Sequence, residues 1–220
     1  DESAALWNAL WANTDGGEIS VEQRRIAQRE AAGNPMFLTE LAWLSRRGKL
    51  DRHPGLCLQD VLVLRVAERD RLEQRFLETL AVAGEPMPYE IIARAAQVDV
   101  GECVTRLWGL RTAQLLRVTR RGDARFVEMY HDRIREALLA RVSSRSEGEQ
   151  TLAMCHHRLG RILLESSQGE ALRLHVFSIL KHLEAASGFV HERQERLQLG
   201  ELHLLASREA RLATAYERAH

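Results

Sequence analysis

The hydrophobic pattern between residues 115 and 142 changes period once, from strand to helix. In Leu115 to Tyr130 (LLRVTRRGDARFVEMY) apolar residues alternate with arginines on both sides of Gly122 and Asp123, which predicts a half-buried β-hairpin. A hairpin of this size is marginally stable alone in water, so we expect it to pack on helices. The next stretch is predicted to be an amphipathic helix, with apolar residues at Ile134, Ala137, Leu138 and Val142.

Helical spacing dominates the chain before the hairpin. A first all-helical unit is predicted for residues 1–50, and its last helix, Met36 to Arg47, is expected to end at Gly48. Leu58–Val66 and Leu72–Val82 are predicted to be two helices or one broken helix, and further helices are predicted over Tyr89–Gln97 and after a cap at Asp99. Helices followed by a hairpin are the order of a winged helix, which the pattern predicts for residues 56–142.

The remaining stretch, residues 143–220, reads as helices separated by short polar turns. The pattern predicts Gly148–Leu164, Ala171–Ala186 and a helix from Glu192 onward. Long helices with short connections favour antiparallel pairs, as at the start of a helical-repeat array of the TPR-like kind. The fold class expected from sequence is therefore mostly α with one β-hairpin.

Composition supports a helical core and narrows the class of protein. Aromatic residues make up only 5%, so the core must be built from Leu, Ala and Val, a composition that favours helices. The 31 basic and 31 acidic residues balance, which argues against a surface tuned as a whole to nucleic acid or to an anionic membrane. The cysteines, Cys57, Cys103 and Cys155, are widely spaced, which favours a reducing cytoplasm over a disulfide framework.

Motifs for nucleotide hydrolysis or phosphoryl transfer are missing from the sequence. Gly48-Lys49 is the only Gly-Lys pair, and it lacks both the upstream Gly and the downstream Ser or Thr of a phosphate-binding loop. Protein-kinase signatures and a Gly-x-Ser-x-Gly elbow are also missing. We therefore assign no catalytic residue. The chain starts without Met and stops within a helical pattern, so we interpret it as a segment of a longer protein.

Histidines suggest two metal hypotheses, and the sequence favours neither. His131-Asp132 resembles one corner of a metal-dependent phosphohydrolase site, but one carboxylate and one imidazole do not fill a coordination shell. The simpler interpretation places Asp132 in the first turn of a helix, where the helix dipole favours a negative charge. The second hypothesis is a zinc site. The spacing of its candidate ligands fits none of the usual structural zinc sites; these candidates are Cys155, His156, His157, His175 and His182. We predict no metal.

Arginines of the winged helix suggest DNA binding as an alternative. Arg106 and Arg111 lie on the helix that would enter the major groove, whereas Arg117, Arg120, Arg121 and Arg125 lie on the wing. The open face of a hairpin needs polar residues in any protein, so arginines there also have a purely structural explanation.

Three stretches resemble STAND-type signal-transduction ATPases of the AAA+ superclass. Ala31 to Leu41 (AAGNPMFLTEL) is similar to the segment of the helical lid that begins with Gly-Asn-Pro. Leu80 to Gly84 (LAVAG) resembles the helix end of the winged helix that follows in that family. The most specific match is the segment that closes the winged helix in bacterial members with an N-terminal serine/threonine kinase. Its matching positions are Tyr130, His131, Asp132, Arg133, Arg135 and Glu136, and His156 to Leu159 fit the first repeat helix.

The resemblance implies a regulatory switch. ATP or ADP would bind through motifs before Asp1, and Gly33, Asn34 and Pro35 of the lid would lie near the nucleotide, where a helix break exposes backbone amides. The winged helix would hold the closed state, and the repeats would sense a ligand or a partner. We expect residues 1–50 to be the lid, residues 56–142 the winged helix and residues 143–220 the TPR-like segment.

The function expected from sequence is a non-catalytic regulatory segment of a bacterial signal-transduction ATPase. Its partners would be the rest of the ATPase module in cis and an effector, such as a serine/threonine kinase. Binding to a membrane is not expected. The segment itself is not expected to bind ATP tightly. A winged-helix transcriptional regulator that binds DNA is the alternative.

Overall fold

The computed structural model describes residues 34–46, 57–189 and 192–219. It is mostly helical and contains one small antiparallel sheet, as the sequence predicts. By contacts, the chain divides into two compact units, residues 1–69 and residues 70–220. The first contains α1 (Pro35–Arg46) and α2 (Leu58–Ala67). The second contains α3 (Arg71–Ala83), β1 (Met87–Pro88), α4 (Tyr89–Ala95), α5 (Val100–Thr112), β2 (Leu116–Arg121), β3 (Ala124–Met129), α6 (Asp132–Ser143), α7 (Gly148–Ser166), α8 (Glu170–Ala185), a 3₁₀ turn (Ser187–Phe189) and α9 (Arg193–Ala219).

In the first unit, α1 and α2 pack through an apolar cluster. Its members are five residues of α1 and one residue of α2: Phe37, Leu38, Leu41, Ala42, Leu44 and Val61. The same interface buries an ion pair, in which the Arg65 guanidinium donates to the Glu40 carboxylate and lies 5.5 Å from the Trp43 ring centroid. Two helices with one buried charge pair between them are therefore the described part of this unit.

The second unit begins with a winged helix. Asp70 caps α3 by accepting from the amides of Leu72 and Glu73, both at 2.9 Å, and Gly84 ends α3 in the left-handed region with φ 71°. The order α3, β1, α4, α5, β2, β3 and the sheet order β1-β3-β2 are those of a winged helix. The predicted order of helices and hairpin is thus confirmed in this region, and the helix end at Leu80 to Gly84 lies where the sequence suggested.

The sheet has one strand more than the sequence analysis predicted. Met87 pairs with Val127 and Pro88 with Phe126, so a two-residue strand extends the hairpin. The sequence predicted no strand between the helices at Leu72–Val82 and Tyr89–Gln97. Two residues cannot show a period of two, and Pro is tolerated here because β1 is an edge strand that needs no amide donor on its outer side.

The hairpin forms where the sequence predicts it, with its turn at Gly122. Leu116 lies opposite Met129 and Arg120 opposite Arg125, and the turn residue Gly122 has φ 61°. Leu116 and Val127 are fully buried against the helices, whereas most of the wing beyond Val118 is exposed. The helix that follows buries the predicted face, with Ile134, Ala137, Leu138 and Val142 in the core.

The C-terminal helices form an antiparallel array that packs on the winged helix. α7 contacts α3, α4 and α6 as well as α8, so residues 70–220 form one unit rather than two separate pieces. α7 and α8 approach closely at Gly160, where an added Cβ would lie 2.7 Å from a methyl carbon of Leu183. No described helix is both long enough and apolar enough to cross a membrane.

Candidate functional site

The C-terminal end of α3 receives two cations from different parts of the second unit. Arg135 of α6 donates from Nε to the carbonyl of Ala81 at 3.0 Å. Lys181 of α8 donates from Nζ to the carbonyl of Ala83 at 2.9 Å. The last carbonyls of a helix lack intrahelical partners and carry the negative end of the helix dipole, so both contacts are favourable. We call this arrangement the helix-end contact.

The backbone at Gly84 fits closely against the same cation. An added Cβ at Gly84 would lie 3.1 Å from a terminal nitrogen of Arg135, and the φ of 71° disfavours other residues. Next to it, the Ser178 hydroxyl of α8 donates to the Glu85 carboxylate. The helix-end contact is therefore a built junction where α3, α6 and α8 meet.

The closing segment, Tyr130 to Glu136, has mainly structural roles apart from Arg135. The Tyr130 ring lies under the Arg117 guanidinium at 4.8 Å. His131 caps α6, because its Nδ1 accepts from the Arg133 amide at 3.1 Å. Asp132 lies in the first turn of α6, as expected, and Arg133 forms an exposed pair with Glu136. Within this segment, the charged side chain of Arg135 contacts another element, the C-terminal end of α3.

The His131 cap bears directly on the phosphohydrolase hypothesis. With Nδ1 engaged by a backbone amide, only Nε2 of His131 remains as a ligand atom. In the part of the chain that the structure describes, no group of three or more His, Cys, Asp or Glu side chains is arranged to hold a metal ion. The geometry therefore offers no coordination shell around His131 and Asp132.

His156 and His182, two of the residues in the zinc hypothesis, face each other. Their Nδ1 atoms are 2.8 Å apart, and the ring centroids are 5.0 Å apart. His182 is completely buried, and its Nε2 has no hydrogen-bond partner among the described residues. Burial lowers the pKa of His182 to about 3, with the neighbouring His156 and Lys181 acting in the same direction. Burial also lowers the pKa of His156, so both rings are neutral at neutral pH.

The tautomers of this histidine pair follow from the orphaned nitrogen. A buried N–H donor without a partner costs more than an unused lone pair. We therefore assign the proton of His182 to Nδ1, which donates to Nδ1 of His156. Neighbouring His157 points elsewhere, towards Phe189 and Glu195, so the adjacent histidines lie on different faces of α7.

Asn34 and Pro35 begin α1, and Gly33 lies outside the described residues. The Asn34 side chain accepts from the Phe37 amide at 3.2 Å, and the Asn34 carbonyl accepts from the Leu38 amide at 3.0 Å. Pro35 occupies the first helical position, where it is favoured because it lacks an amide hydrogen. The expectation that this break leaves its amides unpaired is wrong for Phe37, because Asn34 acts as an N-cap.

The arginines proposed for DNA contact lie in three different environments. Arg106 is paired with Asp70, the cap of α3. Arg117 and Arg121 lie on the outer face of the sheet, with Arg121 stacked 4.8 Å above the Phe126 ring. Arg120 lies on the opposite face, because side chains alternate along a strand. It lines a groove with Arg111 and Arg125. Only part of the predicted basic surface therefore converges.

Sequence reasoning missed Lys181 and the histidine pair as contacts. Lys181 carries a weak signal, since the chain has only two lysines, Lys49 and Lys181, among many arginines. Both contacts join residues far apart in sequence, so periodicity does not report them. Sequence reasoning also did not find the groove that Trp108 lines on the exposed side of α5.

No protein-family model matches this chain, and no curated protein matches it. The resemblance to STAND-type ATPases therefore rests on the three matching stretches of the sequence. The elements that carry those stretches are described above, apart from residues 31–33.

Proposed function

We propose that this chain is a non-catalytic regulatory segment of a bacterial STAND-type signal-transduction ATPase. In this proposal it couples the nucleotide state of an ATPase core to ligand or partner sensing by the helical array, and it acts on an effector such as a serine/threonine kinase. The segment works in the cytoplasm and in cis with the rest of the ATPase module. ATP or ADP binds to the longer protein, near Asn34 and Pro35 of the lid.

The helix-end contact is the observation that supports this proposal. Arg135 belongs to the segment that closes the winged helix, and Lys181 belongs to the helical array, yet both hold the carbonyls at the end of α3. If the helical array moves, Lys181 must therefore either lose its contact with the end of α3 or move α3 with it. Coupling between sites requires an element that both sites bias, and the end of α3 is the element that we propose for this role.

Loosening the helix-end contact should change nucleotide release in the longer protein. We expect Arg135→Ala combined with Lys181→Met to accelerate release of a fluorescent ADP analogue by about tenfold, since coupling energies are typically 1–3 kcal/mol. The closed state loses two charge-assisted hydrogen bonds in this variant. Stopped-flow fluorescence on the protein extended upstream of Asp1 measures the rate.

Arg133→Ala is the matched control for that variant. Arg133 lies on the same helix as Arg135 but forms only an exposed pair with Glu136, which contributes little. Its release rate should equal that of the parent protein. Equal rates in all three proteins, each with an unchanged melting temperature, would mean that the helix-end contact does not transmit the nucleotide state.

DNA binding through the wing is the second candidate function. The observation in its favour is that Arg111, Arg120 and Arg125 line one groove without a carboxylate among the lining residues. The arrangement is less favourable at the start of α5, the part of a recognition helix that usually meets the bases, because Glu102 is exposed there. Arg106 is also neutralised by Asp70.

Titration of the 220-residue chain with ATP and with a labelled DNA duplex separates the two candidates. The regulatory proposal predicts that neither ligand binds tightly at moderate salt, because the chain lacks a phosphate-binding loop and has zero net charge. Salt-sensitive duplex binding that disappears in Arg106→Ala, Arg111→Ala and Arg120→Ala would establish the DNA-binding candidate instead. Tight ATP binding would contradict the assignment of the nucleotide site to upstream residues.

A further inference from the structure

A groove of about 280 Å³ lies between α5 and the hairpin. Its floor is apolar and is formed by Val104, Leu107 and Val118. Trp108, which is 62% exposed, forms one wall, and Arg111 lies 5.1 Å from its ring centroid. The apolar floor and the exposed indole are unusual for a surface that only meets water.

The rim of this groove is positively charged, and its lining residues include no carboxylate. Arg111, Arg120 and Arg125 line the groove, and none of them forms an ion pair with a described residue. Arg120 and Arg125 lie directly opposite each other in the β2–β3 register. Like charges at directly opposite positions destabilise a sheet, so this pair favours a bound anion.

The shape of the groove favours a polypeptide segment over a small molecule. Small ligands bury roughly 70–90% of their surface in enclosed pockets, usually of about 300 Å³ or more. This groove lies at the lower end of that range, and the exposure of Trp108 shows that one side is open. An apolar floor with a charged rim suits one bulky side chain whose neighbours along a peptide carry carboxylates.

Duplex DNA fits the groove less well than an acidic peptide does. A duplex presents phosphates and polar base edges, which leave an apolar floor without a partner. The wing arginines Arg117 and Arg121 also lie on the other face of the sheet, stacked on Tyr130 and Phe126. A surface that surrounds a duplex would need these charges on the same side as Arg120.

We propose that the groove between α5 and the wing binds an acidic peptide segment of a partner protein through one buried apolar or aromatic side chain. Val104, Leu107 and Val118 receive that side chain beside Trp108. Arg111, Arg120 and Arg125 pair with the carboxylates that flank it. This interaction surface is separate from the helix-end contact, and it does not depend on whether the chain regulates an ATPase.

The test uses the whole 220-residue chain and synthetic peptides. The probe is a fluorescein-labelled peptide in which a Leu-Phe pair lies between runs of Asp and Glu. One control peptide has Ser-Ser in place of Leu-Phe, and another has Asn and Gln in place of the acids. We expect saturable binding of the probe by fluorescence anisotropy, a shift of the Trp108 indole resonance in the NMR spectrum, and at least tenfold weaker binding of both controls, on the order of 1.4 kcal/mol each.

Two charge reversals on the same strand provide the matched variants. Arg120→Glu should weaken probe binding by about tenfold or more, because a charge-assisted hydrogen bond is replaced by repulsion. Arg117→Glu makes the same change of charge on the outer face and should leave binding within about twofold. Arg120→Glu removes a like-charge pair across the strands, so it should fold at least as stably as the parent.

Four results would overturn the proposal. These are no binding of the probe, equal binding of the Ser-Ser control, an equal loss in both arginine variants, and tighter binding of a DNA duplex than of the probe at moderate salt with the same dependence on Arg120. The last result would assign the groove to nucleic acid, and its salt dependence would be steep.

Discussion

Replacing Arg65 with Ala is expected to lower the free energy of unfolding of the first unit by about 3–5 kcal/mol, because it leaves one half of a buried ion pair without its partner. Glu40 and Arg65 are only 4% and 5% exposed, and they lie between α1 and α2. The second carboxylate oxygen of Glu40 is buried without a hydrogen-bond partner among the described residues. Without Arg65, Glu40 would be a buried carboxylate that has lost its ion-pair partner.

Tryptophan fluorescence can report this unit by itself. The four tryptophans are Trp7, Trp11, Trp43 and Trp108, so a Trp108→Phe background leaves fluorescence only from residues 1–69. Urea unfolding in that background measures the loss caused by Arg65→Ala. The double variant Glu40→Leu with Arg65→Met is the control, and it should unfold within about 1–2 kcal/mol of the parent because it buries apolar side chains in place of the pair.

The pH dependence of the Arg65→Ala variant gives a second check on the cause. Burial already raises the pKa of Glu40 above its usual value, and Arg65 opposes that shift. Without Arg65 the pKa should rise further, so Glu40 takes up a proton more readily in the folded variant. The loss of stability should therefore be constant well above the pKa of Glu40 in the folded variant and should shrink as the pH falls through that pKa. A loss that is the same at neutral and mildly acidic pH would exclude an unpaired carboxylate as its cause.

The sequence predicted those parts of the fold whose cause is local. The helix that follows the hairpin was found because its buried residues, among them Ile134 and Leu138, recur at helical spacing. The hairpin was found because its alternation breaks at Gly122, where a positive φ is needed. β1 was missed because its two residues have no period, and its pairing with β3 depends on residues about forty positions away.

The candidate site was only partly predictable, because most of it is formed by long-range contacts. The pairs Glu40–Arg65 and His156–His182 and the contact of Lys181 with α3 each join separate helices. The placement of the wing arginines on two faces of the sheet was predictable, however. Side chains alternate along a strand, so Arg117 and Arg121 must lie on the face opposite Arg120. Applying that alternation to the charged residues, and not only to the apolar ones, would have placed Arg120 on the inner face.

Acidification should destabilise the second unit through the buried histidine pair. Histidine in an unfolded chain has a pKa near 6.5. Burial lowers the pKa of His182 to about 3 in the folded protein and also lowers the pKa of His156, with Lys181 and Arg135 adding repulsion. The unfolded state therefore binds more protons below pH 6.5, and stability falls with falling pH. Stability from this source is complete above about pH 6.5 and is lost progressively towards about pH 3.

The expected loss from His182 alone is about 2 kcal/mol between about pH 7 and pH 5, a window that lies above the ordinary titration of carboxylates. Urea unfolding followed by circular dichroism measures it, and hydrogen exchange of the α7 and α8 amides locates it. His182→Asn keeps a donor near the position of Nδ1 but cannot take up a proton, so this variant should lose most of the dependence on pH.

His175→Asn is the control for the histidine pair, because His175 is an exposed histidine on the same helix. It should retain the pH dependence of the parent protein. If His182→Asn and the parent lose the same stability between about pH 7 and pH 5, the cause lies in other groups, and the pair is not held neutral by burial. If the loss of stability in acid disappears in His182→Asn but remains in His175→Asn, the junction between α7 and α8 is the part of the second unit that opens first in acid. Lys181, which contacts α3 through the Ala83 carbonyl, lies next to His182 on α8, so the helix-end contact would then weaken in the same pH range.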